Sequence, residues 1–162
     1  MKQHERRDIN ILDVVSKFNC PFVITHSRGN SKNMNQLSNY QNVLSDVKCS
    51  LDNLIKNALE KNISERNIIV DPGIGFSKDI IHNLEILRNL DVFKKWNLPI
   101  LIGASRKRFI GEILNEKNPK ERDIGTLAIS CLCAQFNIDI VRVHNVKLNY
   151  QILKVADTIY RK

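Results

Sequence analysis

The sequence predicts an α/β fold in which short parallel strands alternate with amphipathic helices. Three observations support this prediction. Four short runs are rich in valine and isoleucine and nearly continuous in apolar character, which is typical of parallel strands buried on both faces. They are residues 21–25, 68–71, 99–103 and 138–143. Longer stretches with helical spacing separate the runs, and a polar or glycine-containing cluster follows each run directly.

The helical stretches are defined by their apolar spacing. In the first, the apolar residues are Val43, Leu44, Val47, Leu51, Leu54, Ile55, Ala58 and Leu59. A second is predicted over residues 78–93, with Ser77 as its N-cap and Ile80, Ile81, Leu84, Leu87 and Leu90 on one side. Two more are expected near 109–114 and 126–136. The last covers about 148–160, with Ile152, Ala156 and Ile159 facing inward. The pattern indicates one continuous domain over residues 1–162.

Composition limits the possible functions. The 162 residues are 43% apolar, enough for one domain with a core, and no apolar run is long enough to span a membrane. A net charge of +8 suggests nucleic acid or small anions as partners. The basic residues are scattered and only 6% of residues are aromatic, which argues against nucleic acid. The four cysteines lack metal-ligand spacing and are interpreted as buried thiols in a reducing compartment.

The polar clusters after the strands locate the predicted site. They are residues 26–29, 71–76, 103–107 and 142–145. In parallel β/α folds the loops that follow the strands open onto a single mouth. These clusters would line it with cationic side chains and one carboxylate. Such a pocket suits an anion joined to a group with paired N–H donors.

Asp71 opens the motif Asp-Pro-Gly-Ile-Gly-Phe. The proline fixes φ after the strand, and the two glycines allow a tight turn beside a ligand. A carboxylate here can accept two hydrogen bonds from a guanidine-like edge. The alternative is an aspartate that only caps the turn.

Ser105, Arg106 and Lys107 open a predicted helix, where free backbone N–H groups favour an anion. The alternative is a solvated basic first turn. Arg142 and His144 are two residues apart in a predicted strand and therefore share a face. On a strand buried on both faces they would need polar partners, which a ligand could supply. Arg28 could contact an anion or form a surface ion pair, whereas His82 and Trp96 are interpreted as structural.

Taken in order, these clusters resemble the dihydropteroate synthase family. The matching stretches are residues 25–29 with Met34, 71–78 continuing to 82–84, 101–111, 122–126 and 142–144. The resemblance implies a (β/α)8 (TIM) barrel, of which this chain supplies about strands five to eight, a half barrel. It implies that strands one to four, with further pterin-binding groups and a metal ligand, are not in this sequence.

The resemblance also implies a reaction. A dihydropterin methyl diphosphate condenses with 4-aminobenzoate and releases pyrophosphate, with Mg²⁺ as the cofactor. The implied catalytic residues are Lys107, Arg142 and His144. Asp71 and Lys107 would hold the pterin edges, Phe76 would pack near the aminobenzoate ring, and Ser105 would receive its carboxylate. Gly103, Arg142 and His144 are also implied to bind substrate. The family further suggests a homodimer, a cytoplasmic location (mitochondrial in some eukaryotes) and inhibition by sulfonamides.

Two alternatives stay open at this point. One is a pterin-dependent methyltransferase, which would not need the Ser-Arg-Lys stretch; the other is a half barrel that binds ligand without catalysis. The sequence also departs from the family at two positions. Thr25 stands where the family often has methionine, and Asn145 where it often has aspartate.

Overall fold

Four parallel strands form one continuous layer in the computed structural model, which describes residues 9–29 and 37–161. They are β1 (Phe22–Thr25), β2 (Ile68–Asp71), β3 (Leu101–Ile102) and β4 (Ile140–Val141). β1 pairs with β2, and β3 pairs with β4. A parallel bridge between Val70 and Ile100 joins β2 to β3. The strand order therefore follows the chain, as predicted.

The register brings the ends of β1 and β2 together. Phe22 is the partner of Ile68, and Thr25 is the partner of Asp71. β2 is the most deeply buried strand, since the side chains of Ile68 and Val70 are fully enclosed. β4 is at the edge and its two residues are only partly buried. The prediction that residues 138–143 are buried on both faces is therefore wrong, because no strand of the described chain covers the outer edge of β4.

Helices separate the strands along the chain, and further helices precede β1 and follow β4. Six are described: α1 (Ile9–Phe18), α2 (Val43–Glu60), α3 (Ile80–Arg88), α4 (Arg108–Leu114), α5 (Asp123–Gln135) and α6 (Val146–Tyr160). A 3₁₀ helix at Leu90–Trp96 continues the chain after α3. Helix α1 was not predicted. None of the described helices is long and apolar enough to cross a membrane.

Helix α2 shows how the apolar spacing produces the core. Its buried residues are Val43, Val47, Leu51, Ile55 and Ala58. They recur every three or four positions and therefore form one stripe against the sheet. The side chain of Asn42 accepts a hydrogen bond of 2.9 Å from the Ser45 N–H and caps the first turn. Burial of each large aliphatic side chain stabilises the fold by about 1.5–3 kcal/mol.

Several local predictions are wrong. Asp79 caps α3, because its carboxylate accepts from the His82 N–H, whereas Ser77 lies outside the helix at φ +51°. Ile81 and Ile159 were placed inward but are 67% and 68% exposed. Cys20 and Cys49 are exposed, and only Cys133 of the four cysteines is buried. Burial raises the pKa of the Cys133 thiol to about 12.

An open half barrel is expected to expose apolar surface along its edge strand at residues 21–25, but the structure differs from that expectation. Phe22 and Val23 are partly buried and Ile24 is buried. The large exposed apolar side chains of the described residues lie mostly on helices, for example Phe18, Ile124, Val155 and Ile159. Phe22 escapes exposure because it packs against the core.

Candidate active site

The carboxyl ends of the strands meet at a cavity of about 360 Å³. The cavity is lined by two residues of β1, by one residue in each of the loops that follow β1 and β2, and by one residue directly after β4. They are Val23, Thr25, Ser27, Phe76 and Arg142. Val23 and Thr25 are two apart on β1 and therefore present the same face. This is the edge of the sheet at which the sequence predicts the site.

Asp71, the last residue of β2, supplies the carboxylate of this mouth and is only 1% exposed. Its Oδ1 accepts a hydrogen bond of 2.8 Å from the Gly73 N–H. Its Oδ2 lies 3.2 Å from an Arg142 guanidinium nitrogen and 3.4 Å from the Thr25 hydroxyl. Burial nevertheless raises the pKa of Asp71, although the Gly73 N–H and Arg142 act in the opposite direction. The position of the carboxylate is therefore fixed, but its neighbours only partly offset the cost of burying its negative charge.

The turn after Asp71 requires its first glycine. Gly73 has φ +72°, and a Cβ there would lie 1.9 Å from the His26 carbonyl oxygen. The buried Lys78 stabilises this turn, because its Nζ donates hydrogen bonds to the Gly73 and Phe76 carbonyl oxygens, each at 3.0 Å. It also lies 2.8 Å from Nδ1 of the buried His26. The backbone that carries Phe76 is thus fixed from inside the protein.

Lys107 reaches the mouth from the third strand. Its Nζ lies 3.9 Å from the centre of the Phe76 ring, a cation–π contact. Burial lowers the pKa of Lys107, and the nearby positive charge of Arg142 lowers it further, while Asp71 opposes both effects. The ammonium therefore lies close to the Asp71 carboxylate and the Arg142 guanidinium, as the sequence predicts.

Arg142 follows β4 and lies across the end of β3. A Cβ at Gly103 would lie 2.6 Å from an Arg142 guanidinium nitrogen, so the glycine leaves room for this side chain. The Arg142 side chain is 52% exposed, unlike the carboxylate that it contacts. Its guanidinium plane is therefore available to a ligand at the mouth.

His144 lies at the edge of the site and is hydrogen-bonded to Ser105. Nδ1 of its ring is 2.9 Å from the Ser105 hydroxyl, which also accepts a 3.1 Å hydrogen bond from the His144 backbone N–H. Behind them, Arg106 forms a two-point ion pair with Asp123 at 2.7 and 2.9 Å. This pair lowers the pKa of Asp123.

The structure brings the predicted residues together. Phe76 and Arg142 line the cavity. Asp71 and Gly103 lie against Arg142, and Lys107 lies over Phe76. Ser105 and His144 contact each other on the loops that follow β3 and β4. Their chemical roles stay predictions. Arg28 forms the surface-type ion pair, 3.1 Å from Asp46, and its guanidinium lies 3.9 Å from the centre of the Tyr40 ring. Met34 lies outside the described residues.

No role was predicted from the sequence for three groups that help to hold the site residues in place. They are the Thr25 hydroxyl, the buried Lys78 and the Asp123 carboxylate. Lys78 could not be recognised because a lysine in sequence is normally solvated, and only packing shows that this one is enclosed. Thr25 and Asp123 do lie within the stretches that carry the family resemblance. Their hydrogen bonds, however, depend on register and on contacts between distant segments.

Comparisons with known proteins agree with this arrangement. A family model described as "Pterin binding enzyme" matches residues 2–144. The dihydropteroate synthase of Synechocystis sp. is 39% identical over 151 residues, covering 93% of this chain and 52% of the relative. This chain therefore spans about half the length of that relative.

Two solved structures show the same similarity. A dihydropteroate synthase from Clostridium difficile, crystallised in the presence of pteroic acid, is 35% identical with a TM-score of 0.87. The alignment covers 97% of this chain and 57% of that one. The synthase of Thermus thermophilus in complex with 4-aminobenzoate is 30% identical with a TM-score of 0.90, covering 95% and 62%. The fold is thus half of a TIM barrel.

Proposed function

The chain belongs to the pterin-binding enzyme family, and on that premise we propose that it forms the C-terminal half of a dihydropteroate synthase. The observation that carries the proposal is the grouping of Asp71, Lys107 and Arg142 around two lining residues of one cavity, Phe76 and Arg142 itself. Arg142 lies 3.2 Å from Asp71, and Lys107 lies over Phe76 beside them. A buried carboxylate between two cations suits a flat heterocycle with N–H donors on one edge and an anion nearby.

Asp71 would hold the amino-pyrimidine edge of the pterin. Its carboxylate is buried with its charge incompletely compensated, so paired N–H donors from a ligand would supply the missing hydrogen bonds. Lys107 would contact the opposite polar edge of the ring. Phe76 would pack near the aminobenzoate ring, and Gly103 would keep room for the Arg142 guanidinium.

Arg142 and His144 would receive the diphosphate. In the reaction, the aminobenzoate nitrogen bonds to the pterin methylene carbon as the carbon–oxygen bond to diphosphate breaks. The bonding electrons leave with pyrophosphate, and the amine loses a proton. Positive groups near the departing oxygens stabilise that developing charge. The planar guanidinium of Arg142 can also stack on the pterin, which an ammonium cannot do.

The described residues do not form a magnesium site by themselves. No group of three or more His, Cys, Asp or Glu side chains among them could hold a metal ion. Asp71 is already engaged by Gly73 and Arg142. No step of the reaction is therefore derived through Mg²⁺, and a ligand on the other half of the barrel stays a prediction. The homodimer and the cellular compartment also stay predictions.

The half-length match favours a second candidate, a half barrel that binds a pterin without catalysis. The retained groups surround one side of the substrates, and positioning can supply several kcal/mol of a reaction barrier. We therefore expect the purified chain to bind a pterin analogue weakly and to make negligible dihydropteroate.

The test has two arms. Calorimetry with pteroic acid measures binding to the chain alone. A chimera of this chain with the N-terminal half of the Synechocystis synthase then measures turnover. Turnover in the chimera alone supports a half site for synthesis, whereas binding without turnover in either protein supports the non-catalytic candidate. A folded chain that binds no pterin would contradict both, and full turnover by the chain alone would contradict its incompleteness.

A further inference from the structure

Ser105 is a buried residue that contacts His144, an exposed candidate catalytic residue. Ser105 is 7% exposed and lies in the middle of the loop between β3 and α4. His144 lies on the loop after β4, so their contact joins the two strands at the mouth of the site. Two hydrogen bonds form it: the ring Nδ1 to the hydroxyl at 2.9 Å, and the His144 backbone N–H to the same oxygen at 3.1 Å.

The direction of these bonds follows from the groups that form them. A backbone N–H can only donate, so the Ser105 oxygen is the acceptor of that bond. Its single hydroxyl hydrogen then remains to be placed. If Nδ1 carried a proton, the serine oxygen would accept twice and its own hydrogen would have no acceptor among the described residues. A buried donor left without an acceptor is unfavourable, because it loses its hydrogen bond to water without gaining another.

We propose that Ser105 is a positioning residue that holds neutral His144 as the tautomer with Nδ1 unprotonated and Nε2 protonated. In this arrangement the hydroxyl donates to Nδ1 and the backbone N–H completes the pair. Nε2–H, which makes no hydrogen bond to the described part of the chain, is the donor presented to a ligand.

Among the described residues only Ser105 forms a hydrogen bond with the His144 ring, although the Asp123 carboxylate is near enough to interact with His144 electrostatically. The side chain of Asn145 caps α6 by accepting from the Leu148 N–H, which fixes the backbone next to His144. Its amide donates to Asp123, whose carboxylate is also taken by Arg106. The contact with Ser105 therefore decides which ring nitrogen carries the proton.

The consequence for the site rests on the proposed function. A neutral histidine with Nε2–H can donate to an oxygen of the departing pyrophosphate. With the other tautomer, Nε2 would present a lone pair to the same anion and repel it. The Ser105 hydroxyl would then act through His144, and its predicted contact with a carboxylate is not needed for this role.

Long-range ¹H–¹⁵N NMR of the histidine rings tests the tautomer directly in the intact chain, without requiring activity. The spectrum is recorded at a pH where His144 is neutral, and His144→Gln identifies its signals. We expect Nδ1 of His144 to be unprotonated and Nε2 protonated. In Ser105→Ala, the ratio of the tautomers should shift toward protonated Nδ1 by about 2- to 10-fold, the range that one net hydrogen bond supplies.

Ser130→Ala is the matched control. Ser130 is also buried, and its hydroxyl donates to Asn149 at 2.6 Å, away from the histidine. It should leave the His144 tautomer unchanged, while Ser105→Thr, which keeps the hydroxyl, should retain the wild-type ratio. Protonated Nδ1 in the wild type overturns the proposal whether or not the variants fold. An unchanged ratio in folded Ser105→Ala also overturns it.

Addition of inorganic pyrophosphate separates this inference from the proposed function. If the tautomer is as stated and pyrophosphate shifts Nε2–H, both stand. If the tautomer is as stated and pyrophosphate shifts nothing even in the chimera, the positioning role of Ser105 stands and the diphosphate role of His144 is lost.

Discussion

The two sides of the candidate site differ in how the protein encloses them. On the β1–β2 side, Asp71, His26 and Lys78 are almost fully buried. On the β3–β4 side, Arg142 and His144 are exposed, and Arg142 shows 52% of its side chain to solvent. Both sides contribute charged or titratable groups to the same mouth. Asp71, at the end of the central strand β2, is enclosed, whereas Arg142 and His144, after the edge strand β4, are open to solvent.

The reason lies in the sheet. β2 has a neighbour on each side, since β1 pairs with it fully and Ile100 bridges to Val70. β4 has β3 on one side only among the described residues. A side chain at the end of a covered strand is surrounded by protein and its position is fixed before a ligand binds. The Asp71 carboxylate is therefore fixed in position before a ligand binds, whereas the proposed anion-binding groups Arg142 and His144 are open to solvent in the described part of the chain.

The largest expected effect is on the buried side. Asp71→Asn keeps the shape but removes the charge that paired N–H donors would meet. Affinity for a pterin analogue should fall by about 100-fold, or about 3 kcal/mol, the scale of charge-assisted hydrogen bonds. Calorimetry of the chain or the chimera measures it. Asp52→Asn, far from the mouth, is the control and should bind normally; equal binding by Asp71→Asn would remove the main reason for the pterin assignment.

The open side should matter most for turnover. In the chimera, Arg142→Lys keeps the charge but loses the planar guanidinium. We expect a lower kcat/KM, equivalent to a loss of about 2–3 kcal/mol in transition-state stabilisation, which is the range for a donor aimed at developing charge. Arg161→Lys, at the end of α6, is the matched control. Near-normal turnover of Arg142→Lys would show that Arg142 is structural.

On the buried side, the contribution of Asp71 to the free energy of unfolding should decrease as pH rises. The pKa of Asp71 is raised in the folded protein, chiefly by burial. Between about pH 4, the unfolded value, and this raised pKa, the folded state binds more protons than the unfolded state. The contribution of Asp71 to stability therefore decreases as pH rises through that window and stays low above it.

Urea unfolding of the wild type and Asp71→Asn over this pH range checks the direction. The stability of the wild type relative to Asp71→Asn should decrease with rising pH. Asp52 provides the opposite case, because hydrogen bonds from Lys95 and Trp96 lower its pKa against the effect of burial. Its contribution is present at neutral pH and is lost as pH falls through the lowered pKa. The same slope for the two aspartates would contradict the contrast.

The smallest effect concerns Asn145. Its Nδ2 donates to Asp123 at 3.1 Å. Asn145→Asp, the residue that the family often has, can still cap α6 but would place a second carboxylate beside Asp123. We expect a loss of about 0.5–1 kcal/mol of unfolding free energy, reduced at high salt because exposed charges are screened. Thermal unfolding at two salt concentrations measures it, and a salt-independent loss would point to a disturbed cap instead.

The other departure from the family has a similar explanation. Thr25 is the register partner of Asp71 and its hydroxyl lies 3.4 Å from the carboxylate. Methionine could not donate there. At these two positions the sequence shows only an unusual residue, and the register of the strands shows what the residue contacts.

The sequence by itself determined the alternation of strands and helices and the end of the sheet that carries the site. Apolar spacing defined α2, because one stripe of a helix must face the core. The glycines after Asp71 marked the turn, since Gly73 adopts a conformation that other residues avoid. The charged clusters after each run could be assigned to one mouth because parallel strands end at the same edge.

Only the tertiary structure decided which of those side chains are buried and which group each one contacts. The two polar residues after β4 were expected to be enclosed and are exposed, because a strand's burial depends on neighbours that its own sequence does not contain. Lys78 is enclosed although a lysine is normally solvated, because its ammonium is bound by the carbonyl groups of the turn. The bond between Ser105 and His144 joins residues 39 positions apart, and no local pattern encodes such a distance.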